Sequence, residues 1–306
     1  KMKEVYKSYN RFKSKAKKLQ KNIVKKFNSD KIYADMVTAV LGDSYITPED
    51  FDGVSFCIPT NGQKEEKTRS TIDAIKSQIT TKKLEIILAG DVERFKDIEN
   101  VTLVDAAEQA NNGLLAELRN VAARMANEDV LCFLDDDMIL PPTWLWRLEQ
   151  YSESFGWDML GNRLLNPDGT RLWDRALMSP HILVPYNHPE SDKRLYQTGG
   201  FSVQRRRLWE KFPWNGDIPI WNEKNGGINE DIELAARLHD AGITFKFDPE
   251  NTTWHWDDNY TEVKDQYGNS LSLLKSMIKE NVGDTVIFPP SCDEFKTLLM
   301  TLGANA

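Results

Sequence analysis

The stretch Val130-Leu-Cys-Phe-Leu-Asp-Asp-Asp-Met-Ile-Leu-Pro-Pro142 decides the fold class of this protein. It opens with five apolar residues, and a short continuous apolar run is typical of a buried strand in a parallel sheet. Three carboxylates follow at once, Asp135, Asp136 and Asp137. Open α/β sheets bind ligands just beyond the carboxyl ends of their strands, and adjacent acids repel one another. The stretch therefore predicts either a site for a divalent cation or, alternatively, an acidic surface loop.

The residues before this stretch alternate between strand and helix patterns. Short apolar runs predict three strands, at residues 54–58, 84–88 and 101–104. Apolar residues at helical spacing predict two helices, at residues 64–79 and 113–127. Strands that alternate with helices favour a mainly parallel sheet flanked by helices, and hence the α/β fold class.

Polar residues stand where the predicted strands end. Pro59, Thr60 and Asn61 close the first strand, Asp91 follows the second, and the three acids follow the fourth. Because the carboxyl ends of parallel strands meet at one edge of a sheet, we expect these residues to lie together. A nucleotide would lie along this edge.

The second half of the chain is more irregular. A Trp-rich helix follows Pro142, and Asn166-Pro-Asp-Gly169 is a strong turn signal that predicts a hairpin tip. A helix is predicted from Asn229 to Ala241, with Asn229 as its N-cap and acidic residues in its first turn. Two strands are then predicted, at residues 243–247 and 253–257.

The net charge of -8 conceals a basic N-terminal arm. Residues 1–31 carry 12 Lys and Arg against two acids, a net of +10, whereas the remainder carries -18. Apolar residues recur in the arm at alternating spacings of four and three, which predicts a long helix. Three roles remain open for this arm: packing on its own domain, forming a homodimer, or lying on an anionic membrane surface. Nucleic acid is disfavoured because no recognised binding module accompanies the basic run.

Other features narrow the class of protein. No run approaches 18 apolar residues, which argues against a membrane-spanning helix in this sequence. Cys57, Cys132 and Cys292 have no CxxC spacing, which favours buried free thiols in a reducing compartment and hence a cytoplasmic protein, peripheral at a membrane if the arm binds one. An NAD-dependent oxidoreductase is disfavoured because no GxGxxG follows the first strand.

Six segments occur in an order that resembles a known family. They are Val54-Ser-Phe-Cys-Ile-Pro-Thr-Asn61, Leu84-Glu-Ile-Ile-Leu-Ala-Gly-Asp91, Leu118-Arg-Asn120, Phe133-Leu-Asp-Asp-Asp137, Thr198-Gly-Gly-Phe201, and Asn229-Glu-Asp-Ile-Glu-Leu-Ala-Ala-Arg237 with His255 after it. Together they resemble family-2 glycosyltransferases with the GT-A fold, over roughly residues 52–258. The resemblance implies a GT-A sheet, Rossmann-like and mainly parallel, that carries a nucleotide-diphosphate sugar.

The resemblance and the arm together predict three regions. Residues 1–50 form a basic helical extension. Residues 51–258 form the GT-A catalytic domain, with a nucleotide-binding half at 51–142 and an acceptor half at 143–258. Residues 259–306 form a helical tail packed on that domain, with one helix from about Leu271 to Ile278.

The resemblance also implies the roles of individual residues. Asp137, His255 and Asp135 would be the metal ligands, and this oxygen and nitrogen donor set suits Mn²⁺ better than Mg²⁺. Asp231 would be the general base that takes the proton of the acceptor hydroxyl. The predicted contacts to the nucleotide sugar are Pro59, Thr60, Asn61, Asp91, Arg119, Asp135, Asp136, Gly199 and Gly200.

The reaction predicted is metal-dependent, inverting transfer of a sugar from a UDP- or GDP-sugar to a hydroxyl of a glycan or other acceptor. Two alternatives remain open. One is a retaining glycosyltransferase or a nucleotidyltransferase on the same sheet, in which Asp231 would not be a base. The other is a non-catalytic module that binds carbohydrate or nucleotide.

Overall fold

The structure, a computed structural model, describes residues 46–167, 169–179, 181–218 and 229–256, and the backbone of 262–264 and 270–272. The predicted basic arm, Cys292 and nearly all of the C-terminal tail lie outside these residues. Within the tail, Glu262–Lys264 and Ser270–Ser272 form an antiparallel pair of strands. Leu271 therefore lies in a strand, where a helix was predicted.

The first four strands form a parallel half-sheet, as predicted. They are β1 (Gly53–Thr60), β2 (Lys83–Gly90), β3 (Thr102–Asp105) and β4 (Val130–Leu134). Their order in the sheet is β3-β2-β1-β4, and each neighbouring pair is parallel. Every residue of β1 and β4 is buried, which explains why both sequences are nearly continuous apolar runs.

Helices connect these strands. They are α1 (Glu65–Lys76), a 3₁₀ turn (Glu93–Phe95), α2 (Ala107–Asn111) and α3 (Leu115–Met125). α1 and α3 confirm the two helices predicted for this half, each slightly shorter at its ends. Small buried residues on α3, such as Ala116 and Ala122, let this helix pack closely on β1 and β2.

The second half extends the same sheet. Its strands in that sheet are β5 (Met138–Ile139), β6 (Met159–Leu165), β10 (Phe201–Arg205) and β11 (Phe245–His255). A small separate sheet contains β7 (Arg175–Leu177), β8 (Ile182–Leu183) and β9 (Leu195–Gln197). The helices are α4 (Trp144–Ser154), α5 (Arg206–Lys211) and α6 (Glu230–Asp240).

The large sheet has the strand order β3-β2-β1-β4-β10-β6-β11-β5. β10 runs antiparallel to both β4 and β6, and β5 runs antiparallel to β11, whereas the other pairs are parallel. β10 thus joins the two halves, because it pairs directly with β4, the strand that precedes the acidic triplet. The prediction of a mainly parallel sheet flanked by helices is confirmed.

The hairpin tip at Asn166 is also confirmed. The Gly169 amide donates to the Asn166 carbonyl at 2.8 Å, and the Asn166 amide donates to the Thr170 carbonyl at 2.8 Å. An antiparallel bridge joins Leu165 to Arg171 across the turn. This tight return supports the end of β6, which pairs with β11.

The two strands predicted at 243–247 and 253–257 are one strand, β11, so that prediction was wrong in detail. Its register on β6 shifts between Asp248 and Thr252. The Asn251 side chain donates to the Trp144 carbonyl at 3.0 Å, which anchors the irregular segment to α4. Polar residues at a strand irregularity resemble a loop in sequence, although the backbone continues in the same sheet.

Aromatic residues occupy the core around α4. The buried Trp144 donates its indole N–H to Asn162 Oδ1 at 3.1 Å and meets Phe201 edge-on, with ring centroids 5.9 Å apart. Cys57 and Cys132 are buried free thiols, as predicted, and burial raises the pKa of both. Among the helices of the described ranges, none has the length and apolar character needed to cross a membrane.

Gly90 closes β2 where only glycine fits. Its φ is +138°, and a Cβ would lie 1.8 Å from the Thr60 carbonyl oxygen. We expect Gly90→Ala to lower the free energy of unfolding by about 3 kcal/mol, because strain and a backbone clash act together. Urea denaturation measures this loss.

Gly242→Ala is the matched control. Gly242 has a φ of +78°, and a Cβ at this position would have no neighbouring atom within 4 Å. That variant should lose about 1 kcal/mol through backbone strain alone. Equal losses in the two variants would contradict the expected clash at Gly90.

Candidate active site

The predicted strand ends meet at one edge of the sheet. Thr60 pairs with Gly90 at the ends of β1 and β2, and the Asp91 amide donates to the Thr60 carbonyl at 3.2 Å. Asp135 follows β4, and its amide donates to the Gly200 carbonyl at 2.9 Å. The absence of a side chain at Gly90 therefore allows the ends of β1 and β2 to lie close together.

A cleft of about 180 Å³ opens at this edge. Its lining residues are Pro59, Thr60, Asn61, Lys64, Ala110, Gly113, Leu115, Leu118, Asp135 and Asp136. Asp135 and Asp136 form the acidic wall of the cleft, and α2 and α3 contribute apolar lining residues. Five of the predicted contacts to a nucleotide sugar line this cleft, namely Pro59, Thr60, Asn61, Asp135 and Asp136.

The Asp136 carboxylate is hydrogen-bonded to two threonine hydroxyl groups. Its Oδ2 accepts from the Thr60 hydroxyl at 2.7 Å and from the Thr68 hydroxyl at 3.4 Å. Burial raises the pKa of Asp136 to about 6, although the Thr60 hydrogen bond opposes this shift. Asp136 thus ties β4 to β1 and to α1.

Asp137 lies between two nitrogen groups. Its Oδ2 is 2.6 Å from Lys64 Nζ and 3.5 Å from His255 Nε2. Burial alone would raise its pKa, but hydrogen bonds from His255 and Lys64 lower the pKa of Asp137 to about 2. β11 brings His255 here, because His255 pairs with Met138 and the Trp256 amide donates to the Asp137 carbonyl at 2.7 Å.

Lys64 was not among the site residues predicted from the sequence. It is the residue before α1, its side chain is 44% exposed, and it lines the cleft. Against the effect of burial, the hydrogen bond to Asp137 raises the pKa of Lys64. The signal that could have found it is a basic residue four positions after a strand end that faces an acidic triplet.

Asp135 faces away from the Asp137 and His255 pair. Its Oδ1 is 3.3 Å from Arg119 Nη2, and its Oδ2 would be 2.9 Å from a Cβ on Gly200. Burial raises the pKa of Asp135, and Arg119 opposes that shift. Within the part of the chain that the structure describes, no cluster of three His, Cys, Asp or Glu side chains could hold a metal ion. The metal-ligand roles of Asp135, Asp137 and His255 stay a prediction, and Asp135 is paired with Arg119 in this structure.

Asp137 and His255 still form a two-donor pair. A carboxylate oxygen and an imidazole nitrogen suit Mn²⁺, provided that phosphate or water completes the ligand shell. The chemistry of this pair fits a cation bound together with a diphosphate.

Arg119 was predicted beside the nucleotide base or diphosphate, but the structure places it in the interior. It is 1% exposed, and its Nη1 is 2.7 Å from Glu230 Oε1. Its guanidinium also lies over the Trp214 ring, 4.8 Å from the centroid. Arg119 therefore positions Asp135 relative to α6, because it contacts acids from both halves of the sheet.

Asp231 lies in the first turn of α6, as predicted, and is 9% exposed. Its Oδ2 accepts from the Gly199 amide at 3.1 Å, and its Oδ1 accepts from the Ile232 amide at 2.8 Å. Burial, followed by the repulsion of Glu230, raises the pKa of Asp231 to about 6. A helix N-terminus favours the ionised form of an acid, but at Asp231 the effect of burial is larger.

Two further details concern the start of α6. Asn229 occupies the N-cap position, as predicted, but its side chain makes no capping hydrogen bond. A Cβ on Gly199 would lie 2.8 Å from Glu230 Oε1, so glycine allows the turn to approach the helix. The turn at Gly199 and Gly200 thus has Asp231 on one side and Asp135 on the other.

Asp91 lies beside Gly62 rather than on the acidic wall. A Cβ on Gly62 would be 2.9 Å from the Asp91 carbonyl oxygen. The contact of Asp91 with a nucleotide base stays a prediction.

Comparisons with known proteins agree with the fold. The sequence model of glycosyl transferase family 2 matches residues 55–212, which is more than half of the chain. The chain therefore belongs to glycosyl transferase family 2, and its sheet is that of the GT-A fold. No curated protein matches the chain in sequence.

Two solved structures are similar to this chain at low sequence identity. The structure of GalNAc-T7 with UDP, GalNAc and Mn²⁺ is 13% identical, with a TM-score of 0.51, over 68% of this chain and 44% of that one. Residues 1–349 of TarS from S. aureus are 15% identical, with a TM-score of 0.48, over 66% of this chain and 60% of that one. The match thus spans less than two thirds of each of these structures.

Proposed function

We propose that this protein is a metal-dependent, inverting glycosyltransferase that moves a sugar from a UDP- or GDP-sugar to a hydroxyl of a glycan or other acceptor. One observation carries the proposal. The buried Asp231 carboxylate, whose pKa is about 6, lies one glycine turn away from the acidic wall of the cleft. A base and a donor cleft are thereby joined through Gly199 and Gly200.

Asp231 suits the removal of a proton from an acceptor hydroxyl. A hydroxyl is a poor nucleophile, and a general base acts best when its pKa lies near the working pH. A carboxylate with a pKa of about 6 is ionised at neutral pH and is still more basic than an ordinary aspartate. A single base that acts opposite the leaving group leads to inversion at the anomeric carbon.

The leaving nucleoside diphosphate requires positive charge. A bound divalent cation would supply Lewis-acid stabilisation of the leaving phosphate. Asp137 and His255 are the residues that would hold it, and the GalNAc-T7 structure, which has the same fold, is described with UDP and Mn²⁺. Pro59, Thr60 and Asn61 would contact the nucleotide from the end of β1.

The metal requirement is tested by release of UDP or GDP from a panel of nucleotide sugars with Mn²⁺, with and without EDTA. We expect EDTA to abolish turnover and Asp137→Ala to reduce it at least about a hundredfold, because the leaving group loses its counter-charge. Liquid chromatography of the released nucleotide measures the rate.

Asp240→Ala is the matched control, since Asp240 is an exposed acid in the last turn of α6. This variant should keep the rate of the unmodified protein. Turnover that persists in both EDTA and Asp137→Ala would refute the metal requirement.

A further inference from the structure

The Asp137 carboxylate, which would bind the metal, already forms an ion pair with Lys64. Lys64 Nζ lies 2.6 Å from Asp137 Oδ2 and 3.8 Å from Asp136 Oδ1. The same Asp137 Oδ2 faces His255 Nε2 at 3.5 Å. The ammonium thus contacts the oxygen that a metal shared by Asp137 and His255 would need.

Two cations on one carboxylate oxygen repel each other strongly at such short range. A metal on Oδ2 would share the negative charge of that oxygen with the ammonium. Binding of a metal through Oδ2 and His255 would therefore be weakened while the ammonium stays in place.

The structure allows the Lys64 side chain to move without disturbing the backbone. The Lys64 carbonyl accepts from the Thr68 amide at 2.9 Å, so the residue is held at the start of α1. Its side chain is 44% exposed and lines the open cleft. The ammonium can therefore swing into the cleft while α1 stays in place.

We propose that Lys64 is a built-in counter-ion of the acidic triplet that competes with the divalent cation for Asp137. In the absence of metal, Lys64 balances the charge of Asp136 and Asp137. When the metal binds, the ammonium moves off Asp137 into the cleft. This inference rests on the metal site proposed above and adds a residue that weakens metal binding.

The test is Mn²⁺ binding by the full chain without nucleotide, measured by electron paramagnetic resonance of free Mn²⁺ and by the Mn²⁺-induced thermal shift. Lys64→Met should bind Mn²⁺ at least about tenfold more tightly than the unmodified protein, because the competing cation is gone. Lys64→Arg, which keeps the charge, should bind Mn²⁺ no more tightly than the unmodified protein. Lys64→Gln provides a second neutral variant if the methionine variant folds poorly.

Lys76→Met is the matched control. Lys76 lies at the other end of α1 and donates to the Glu99 carbonyl at 2.7 Å, so the variant removes the same charge away from the triplet. It should leave Mn²⁺ affinity unchanged.

Equal Mn²⁺ affinity in the unmodified protein and both neutral Lys64 variants would overturn the competition, while leaving the metal site intact. Failure of every variant to bind Mn²⁺ would overturn the competition. Sugar transfer that is insensitive to EDTA would refute the proposed metal requirement independently of these binding data.

Discussion

Replacing Asp231 with asparagine should reduce sugar transfer at least about a hundredfold, because a general base contributes roughly 10²–10⁴ to the rate. The amide is nearly the same size as the carboxylate, but it cannot take a proton from the acceptor hydroxyl. The measurement is kcat for transfer to the acceptor, at saturating nucleotide sugar and Mn²⁺. Affinity for the nucleotide sugar should change little, since Asp231 is not among the residues that line the donor cleft.

Glu233→Gln is the matched control in the same turn of α6. Glu233 forms an ion pair with Arg237 at 2.7 Å, and neither residue contacts the Gly199 turn in the hydrogen bonds described. Full activity in Asp231→Asn would remove the base assignment. Equal losses in Asp231→Asn and Glu233→Gln would instead indicate a general disturbance of α6.

The pH dependence of sugar transfer is a second test of the role of Asp231. Since Asp231 must be ionised to act, kcat/KM should fall about tenfold per pH unit below a pKa of about 6. The folded-state pKa lies above the ordinary value of 3.8. The stability that this group contributes is therefore fully present below a pH of about 4 and is lost as the pH rises through about 6. A rate that stays level down to pH 5 would contradict this assignment.

Replacing Arg119 with methionine should destabilise the fold by about 3–5 kcal/mol, because it leaves buried acids without their counter-charge. Arg119 is 1% exposed and contacts both Glu230 and Asp135, at 2.7 and 3.3 Å. Its cation–π contact with Trp214 would also be lost. Urea denaturation at pH 7 measures the free energy of unfolding.

The double variant Arg119→Met with Glu230→Gln shows whether the lost stability of Arg119→Met comes from unpaired charge or from lost packing. If unpaired charge is the cause, the double variant should recover part of the loss, because one buried carboxylate is neutral. A free energy of unfolding that is unchanged in Arg119→Met would contradict the role of this ion-pair network. A loss that the second substitution does not reduce would assign the effect to packing.

Much of the fold could be predicted because its signals are local. β1 and β4 are covered by other layers on both faces, so their sequences are uninterrupted apolar runs. α6 is bounded by Asn229 and Gly242, residues whose backbone preferences mark helix ends. β11 was divided in two because an irregular segment carries polar residues that also occur in loops.

The site could be predicted only as a set of candidate residues. Asp135, Asp136 and Asp137 are adjacent in the chain, yet they face Arg119, Thr60 and Lys64 respectively. Their pKa values diverge accordingly, with Asp136 at about 6 and Asp137 at about 2. No spacing rule separates three identical neighbours whose partners lie at distant positions in the sequence.

The sequence by itself determined the α/β sheet and the acids at its edge, because each depends on residues close together in the chain. The order of six short segments along the chain indicated the family. Only the tertiary structure decided that Arg119 is buried, that Lys64 contacts Asp137, and that Asp231 has a raised pKa. Those properties depend on burial and on charges brought together from β4, α1, α6 and β11. Electrostatic energies vary with distance and desolvation, and both are set by packing rather than by residue type.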